Sequence, residues 1–253
     1  MSDGGRGGGE ALRILPIAGL PEIEPGARLG ELIAARAALE PGDVLVVAQK
    51  VVSKAEGRLR RLSSAIPGAE ARKLAAVLGK EPALVELILE ESSEVLRAEG
   101  GALIVETHHG FVCANAGIDS SNLPGEDTVC LLPEDPDASA RRIRGEIPAT
   151  PVGVVIADSF GRAWRLGQAE VAIGCAGLTP LDDWRGRRDA HGRELAATEI
   201  AIADEAAAAA DLVRGKDSRV PAVILRGLDR FVIAEDGPGA AVLHRPSAED
   251  LFR

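Results

Sequence analysis

Short apolar runs that end abruptly in polar residues set the first limit on this fold. Residues 44–47 form one, followed by Gln49, Lys50, Ser53 and Lys54. Residues 154–157 form another, within "VVIADSFGRAWRLG", and run straight into Asp158 and Ser159. "VPAVILRGL" supplies a third, opened by Pro221. Such runs read as buried strands. Segments with helical spacing alternate with them: "LGELIAARAAL", "AEARKLAAVLG", "EPALVELILEESSEVLRAE", "PDASARRIRGEI" and the Ala-rich "LAATEIAIADEAAAAADLVRG". Pro82 suits an early helical position, and alanine is the best helix former.

Other segments complete the pattern. "LRILPIAGLPEI" predicts a strand over residues 12–15, stopped at Pro16. "ALIVETHHGFVCANAGIDSSN" predicts a hairpin with strands at 102–107 and 111–114, emptying into a polar loop. "DTVCLLPEDP" holds a further strand, "QAEVAIGCAGL" is small and apolar enough for close packing, and "GRRDAHGRE" is a polar excursion. Strands and helices mix without a clean βαβ period, so an α+β fold is expected rather than a doubly wound sheet. Residues 1–10 read as a disordered N-terminal tail. Residues 11–253 fit either two interdigitated α+β lobes with mixed or antiparallel sheets, or one domain.

Composition removes several classes of function. The formal charge of −10 disfavours sequence-independent binding to a nucleic-acid backbone, which relies on clustered cations. Four Phe, two Trp and no Tyr leave few stacking platforms for single strands. Cys113, Cys130 and Cys175 show no CxxC spacing and read as small buried thiols, not as a disulfide framework or zinc site. No apolar stretch spans a bilayer without charges or breakers, and the N-terminus lacks the apolar run of a signal peptide. A cytoplasmic protein is expected.

The polar ends of the strands are the places to look for chemistry. Neither GxGxxG nor GxxxxGK[ST] is present. Gln49, Lys50, Ser53 and Lys54 follow one strand, Asp119, Ser121 and Asn122 follow the hairpin, and Asp158 and Ser159 follow a third segment. Carboxylate and hydroxyl oxygens suit hard divalent cations, and Lys50, Lys54, Arg162 and Arg165 balance phosphate charge. Taken singly, each is also an ordinary turn acid or surface cation. "VRGKDS" at 213–218 is equally ambiguous, because Gly215 is also a common helix stop. His108 and His109 read as turn residues, and Glu90, Glu91 and Glu94 as a solvated helix face.

"LPI", "AQKVVSKAEGR", "NAGIDSSN" and "ADSFGRAWRLGQAEVAIGCAG" together resemble the coenzyme F420-0:L-glutamate ligase family, the gamma-glutamyl ligases, over nearly the whole chain. The resemblance implies a two-lobed α+β homodimer that uses GTP to join L-glutamate to the lactyl carboxylate of a deazaflavin, coenzyme F420-0. It also implies Mg²⁺ or Mn²⁺, two ions, and K⁺ as a helper. A C-terminal nitroreductase-like domain carried by some relatives is not expected within these residues.

Residue by residue, the family's early nucleotide segment corresponds to Leu15, Pro16, Ile17 and Ala18, and its next contacts to Gln49, Lys50 and Lys54. Its "GID" metal ligand corresponds to Asp119, and a nucleotide-contacting Asn to Asn122. Asp158 and Ser159 correspond to a metal-binding pair whose second member is often Thr; serine keeps the hydroxyl. Gly215 and Lys216 fall in the late nucleotide segment, while Arg162 and Arg165 lie in "GRAWR", where relatives often have "GRPWR". Arg162 and Arg165 join Asp119 and Asp158 as the expected catalytic residues, gripping a carboxylate or phosphodiester. Two other readings stand beside this one: a gamma-glutamyl ligase for another acidic acceptor, and a GTP-binding regulatory protein.

Overall fold

Burial on both faces organises the central sheet. The computed structural model describes residues 11–121, 123, 125–215 and 217–251. In chain order the elements begin with β1 (Arg13–Ile17), α1 (Leu29–Ala34), β2 (Val44–Ala48), α2 (Gln49–Ala55) and β3 (Leu59–Arg61). There follow α3 (Ala69–Leu78), α4 (Pro82–Glu90), β4 (Ser92–Glu99), β5 (Ala102–Thr107), β6 (Val112–Ala114) and β7 (Thr128–Cys130). The chain then forms α5 (Pro136–Gly145), β8 (Gly153–Arg162), β9 (Arg165–Ala176), β10 (Asp182–Asp183), β11 (Glu199–Ile200), α6 (Ile202–Asp211) and β12 (Ala222–Arg226).

Five strands lie in the order β1-β12-β2-β8-β9, with β2 and β8 parallel and every other pair antiparallel. Strands β1, β2 and β8 therefore point the same way. Leu45, Val47, Val154 and Ile156 face α1 and α5, joining Ile33, Ala140 and Ile143. Val44, Val46, Val155 and Ala157 face α6, which presents Ala203, Ala206, Ala207 and Ala210. That i, i+3, i+4, i+7 spacing is one helical stripe, and its methyl groups let the helix lie close to the sheet. All four valine and leucine side chains of 44–47 are fully buried. At about 1.5–3 kcal/mol each, burial fixes where β2 sits.

The chain leaves this sheet after α2 and returns at α5. In between, β4, β5 and β6 form an antiparallel sheet covered by α3 and α4, with Ala71, Ala75, Val85, Ile88, Leu103 and Val105 buried between them. Strands β3 and β7 pair antiparallel, beside Leu62, Leu87 and Leu131. The architecture is α+β, as expected.

The two ends of the central sheet differ. At one, Arg226 makes a bidentate pair with buried Asp43, both hydrogen bonds at 2.8 Å, tying the start of β2 to the end of β12. At the other, β1, β2 and the shared ladder of β8 all finish together, and the loop from α6 enters β12.

Four segments depart from the sequence reading. Strand β1 runs through Pro16 because it is the edge strand, where a missing N–H is tolerated. Residues 92–99 are strand, not helix: Gly100 and Gly101, at φ 58° and 81°, make a two-residue hairpin that pairs Glu99 with Ala102. Helix α6 is shorter than its alanine content suggests, because Glu199 and Ile200 pair with β10. Strand β8 does not stop at Asp158; β9 stays paired with it as far as Arg162. No helix among the described residues is long and apolar enough to cross a membrane.

Candidate functional site

The parallel register of β2 and β8 brings the predicted residues together. Ala48 lies opposite Ala157, the last rung of that ladder. One residue further on, β2 turns into α2 at Gln49 and Lys50 while β8 continues through Asp158 and Ser159. The two polar segments are thus neighbours where one strand curls away and the other goes on. Ile17 pairs with Ala222, and the Ala48 N–H donates to the Pro221 carbonyl at 2.8 Å. Leu15, Pro16, Ile17 and Ala18 therefore reach the same sheet end, about 14 Å from β8 across three strand spacings. The loop carrying Gly215 enters there too. Arg219 in it is left-handed at φ 52°, a strained conformation for a side chain of that size.

Asp119 reaches this end from the other sheet. Asn115, Ala116 and Gly117, at φ 54°, 54° and 69°, form three consecutive left-handed residues that turn the chain after β6. A Cβ at Gly117 would meet Leu132 at 2.9 Å, so only glycine fits that turn. The turn delivers Asp119 to a backbone bridge with Cys130. Its carboxylate takes the Lys50 ammonium at 2.7 Å and the Ser121 N–H at 2.7 Å. Lys50 also donates to the Ser121 carbonyl at 2.6 Å and hydroxyl at 3.0 Å. Burial raises the Asp119 carboxyl, but the Lys50 and Ser121 hydrogen bonds and the Lys50 charge together bring it below the ordinary carboxylate value.

Gln49 serves the architecture. It is buried, and its amide donates to Ser53 Oγ at 2.7 Å and to the Leu131 carbonyl at 3.0 Å, fastening α2 to the segment after β7. Lys54, one turn beyond Lys50, is paired with Glu22. Phe160 of β8 meets Phe111 edge-on at 6.0 Å, which seats the β5–β6 hairpin against β8. The thiol of Cys113 is pushed up to about 12, by burial first and then by the Asp158 charge. All three cysteines are buried free thiols.

Arg162 and Arg165 lie elsewhere. They face each other at the exposed tip of the β8–β9 hairpin, four or more residues past Asp158, about 13 Å along an extended strand. Arg162 donates to the Leu166 carbonyl at 2.6 Å and the Gly167 carbonyl at 3.3 Å, which closes the tip. Trp164 there is 80% exposed, so it is not a core residue. Asn122 and Lys216 lie outside the described residues. Of the other features read from the sequence, His109 is half-buried and stacked on Phe111, while Glu91 pairs with Arg58 at 2.7 Å.

Two residues of the site escaped the sequence reading. Ser159 stands opposite Glu170 in the β8–β9 ladder and donates its hydroxyl to that carboxylate. The other Glu170 oxygen accepts Arg214 Nη2 at 2.7 Å. Both side chains are enclosed, at 5% and 9% exposure, and Arg214 Nη1 is buried with no hydrogen-bond partner among the described residues. An acid inside the otherwise small and apolar run 169–176 was the available signal.

A divalent cation fits the donor set. Asp119, Asp158 and Ser159 offer hard oxygens beside α2, though the described residues hold no cluster of three or more His, Cys, Asp or Glu suited to a metal. Two carboxylates and a hydroxyl leave coordination positions for phosphate oxygens and water, which is how Mg²⁺ is commonly held.

Comparison with known proteins finds similarity over nearly the whole chain. The family model described as F420-0:Gamma-glutamyl ligase matches residues 19–227. The coenzyme F420:L-glutamate ligase of Methanopyrus kandleri is 46% identical over 98% of this chain and 100% of its own length. The enzymes of that name from Archaeoglobus fulgidus and Methanothermobacter thermautotrophicus are 44% and 43% identical, each over 96% of this chain and 96% and 99% of their own lengths.

Proposed function

The chain belongs to the F420-0:gamma-glutamyl ligase family, and we propose that it joins L-glutamate to the lactyl carboxylate of the deazaflavin coenzyme F420-0, with GTP as the activating co-substrate. Further gamma-linked glutamates extend the same product. The observation that supports this most is the parallel β2–β8 register, which starts the Gln49–Lys50 turn and the Asp158–Ser159 segment from adjacent strands at one sheet end, while Lys50 also holds Asp119. A cation, two carboxylates and a hydroxyl at one sheet end suit a nucleoside triphosphate with its metal.

The chemistry needs activation, because a carboxylate has no good leaving group. Transfer of the GTP γ-phosphoryl group to the acceptor carboxylate gives an acyl phosphate and GDP. The glutamate amine attacks the acyl carbon, the C–O bond to phosphate breaks, the nitrogen loses its proton, and inorganic phosphate leaves. Asp119, Asp158 and Ser159 would hold Mg²⁺ or Mn²⁺, which neutralises charge on phosphate oxygens when bound. Lys50 contacts phosphate as a point charge once its grip on Asp119 is exchanged. Arg214 Nη1, a buried donor, suits an oxyanion, since a buried N–H left without an acceptor is unfavourable by about 1–3 kcal/mol. Residues 15–18 and the loop at 213–220 would flank the nucleotide.

Purified protein incubated with GTP, Mg²⁺ or Mn²⁺, L-glutamate and the deazaflavin tests this reading by mass spectrometry. A product heavier by one glutamyl residue, with stoichiometric GDP, is expected. GTP binding without glutamyl transfer to any acidic acceptor would favour a nucleotide-binding regulatory protein. Transfer only to a different acceptor would redirect the substrate assignment.

A further inference from the structure

Glu170 joins two residues of the candidate site, Ser159 and Arg214. Its side chain is 5% exposed, in the β9 position opposite Ser159. One carboxylate oxygen accepts the Ser159 hydroxyl. The other accepts Arg214 Nη2 at 2.7 Å. A serine hydroxyl has one proton and two lone pairs. With its proton committed to Glu170, Ser159 meets every other neighbour as an acceptor only. A hydroxyl free to rotate would spend part of its time aiming a proton where a cation should sit.

We infer that Glu170 is a positioning residue, which fixes the Ser159 hydroxyl as an oxygen ligand for a divalent cation and anchors the Arg214 guanidinium behind it. The inference rests on the metal–nucleotide reading above. Glu170 acts through Ser159 and is not itself a ligand. A carboxylate that orients a metal-binding side chain characteristically changes metal affinity 10–100-fold when altered.

A purely structural Glu170 would only neutralise Arg214, and Glu170→Asp separates the two roles. The shorter side chain keeps the charge that Arg214 needs but draws back from Ser159. Mn²⁺ binding to the full chain at saturating GDP, read by electron paramagnetic resonance of free Mn²⁺, is the measurement. Glu170→Asp is expected to weaken Mn²⁺ binding about 10–100-fold, and Ser159→Ala to do so as well. The double variant Glu170→Asp/Ser159→Ala is expected to bind no worse than Ser159→Ala, because residues that act as one unit are not additive. Wild-type affinity in Glu170→Asp, or losses that multiply in the double variant, would overturn the inference. Should Glu170→Asp fail to fold, Glu170→Met/Arg214→Met removes both charges together with the acceptor for Ser159 and is read the same way. Wild-type protein that binds no Mn²⁺ with or without GDP would instead remove the metal reading itself, and this inference with it.

Discussion

Two ion pairs frame the candidate site, and they are built in opposite ways. Lys50 and Asp119 meet between α2 and the loop after β6, with side chains 19% and 38% exposed. Glu170 and Arg214 meet against β9, at 5% and 9%. Water reaches the first pair, so opening it is inexpensive: exposed pairs contribute only about 0–1 kcal/mol. Opening the second strands a charge in the interior, which costs about 3–5 kcal/mol. The contrast separates two tasks. In the proposed reaction the exposed pair would exchange partners, Asp119 to a cation and Lys50 to a phosphate. In the inference above, the buried pair would stay closed and hold Ser159 in place.

Substitutions should therefore divide by pair, and the largest effect on stability belongs to the buried one. Arg214→Met removes the guanidinium held by one Glu170 oxygen and is expected to lower the unfolding free energy by about 3–5 kcal/mol in urea titrations. A loss under 1 kcal/mol would place that pair with the surface pairs and erase the contrast. Lys50→Met should do the reverse. It is expected to change stability by no more than about 1 kcal/mol, yet to reduce GTP-dependent turnover roughly a hundredfold or more. Unchanged turnover would mean that the exposed pair is structural only.

How much of this was legible beforehand depends on the range of the interaction. The buried strands at 44–47 and 154–157 announced themselves, since continuous apolar runs carry their own signal. The residues Lys50, Asp119, Asp158 and Ser159 stood out as polar groups at the ends of such runs. Their meeting depends on the parallel β2–β8 register, which is set by burial across some 110 intervening residues and by no local pattern. Glu170 was hidden for the same reason: its importance lies in which residue stands opposite on β8. Arg162 and Arg165 show the converse. Their closeness in sequence to Asp158 suggested one site, but an extended strand carries successive residues steadily apart, and β8 carries them to an exposed tip. The strand at 92–99 was lost to its helix-like composition, although Gly100-Gly101 marked the hairpin.

Acid titration sharpens the comparison at a smaller scale. The Asp119 carboxyl lies below its ordinary value, so its contribution to stability is complete above about pH 4, the unfolded value. That contribution disappears as pH falls through the lower folded value. Asp119→Asn should flatten the stability curve below about pH 4 and, near neutrality, lower it by the lost contribution without changing its slope. A flattened curve near pH 6 would point to a different group.

The smallest expected effect lies at His244, whose ring meets Phe111 edge-on at 4.7 Å. Burial is the main reason its imidazole lies below the ordinary histidine value, with His109 adding to the shift and Asp137, Glu106 and Asp204 opposing it. Its contribution is therefore complete above about pH 6.5 and is lost as pH falls through the folded value. His244→Phe should reduce the slope of stability just below that point, measured by urea unfolding at closely spaced pH values. An unaltered slope would assign that limb to another residue.

Asp158→Asn tests the central claim, that the shared end of β1, β2 and β8 is where ligation takes place. The measurement is GDP released from GTP in the presence of L-glutamate, the deazaflavin and Mg²⁺ or Mn²⁺, with circular dichroism to verify the fold. The expected result is a folded protein whose metal-dependent GDP formation is abolished. A folded Asp158→Asn protein with wild-type turnover would contradict the account.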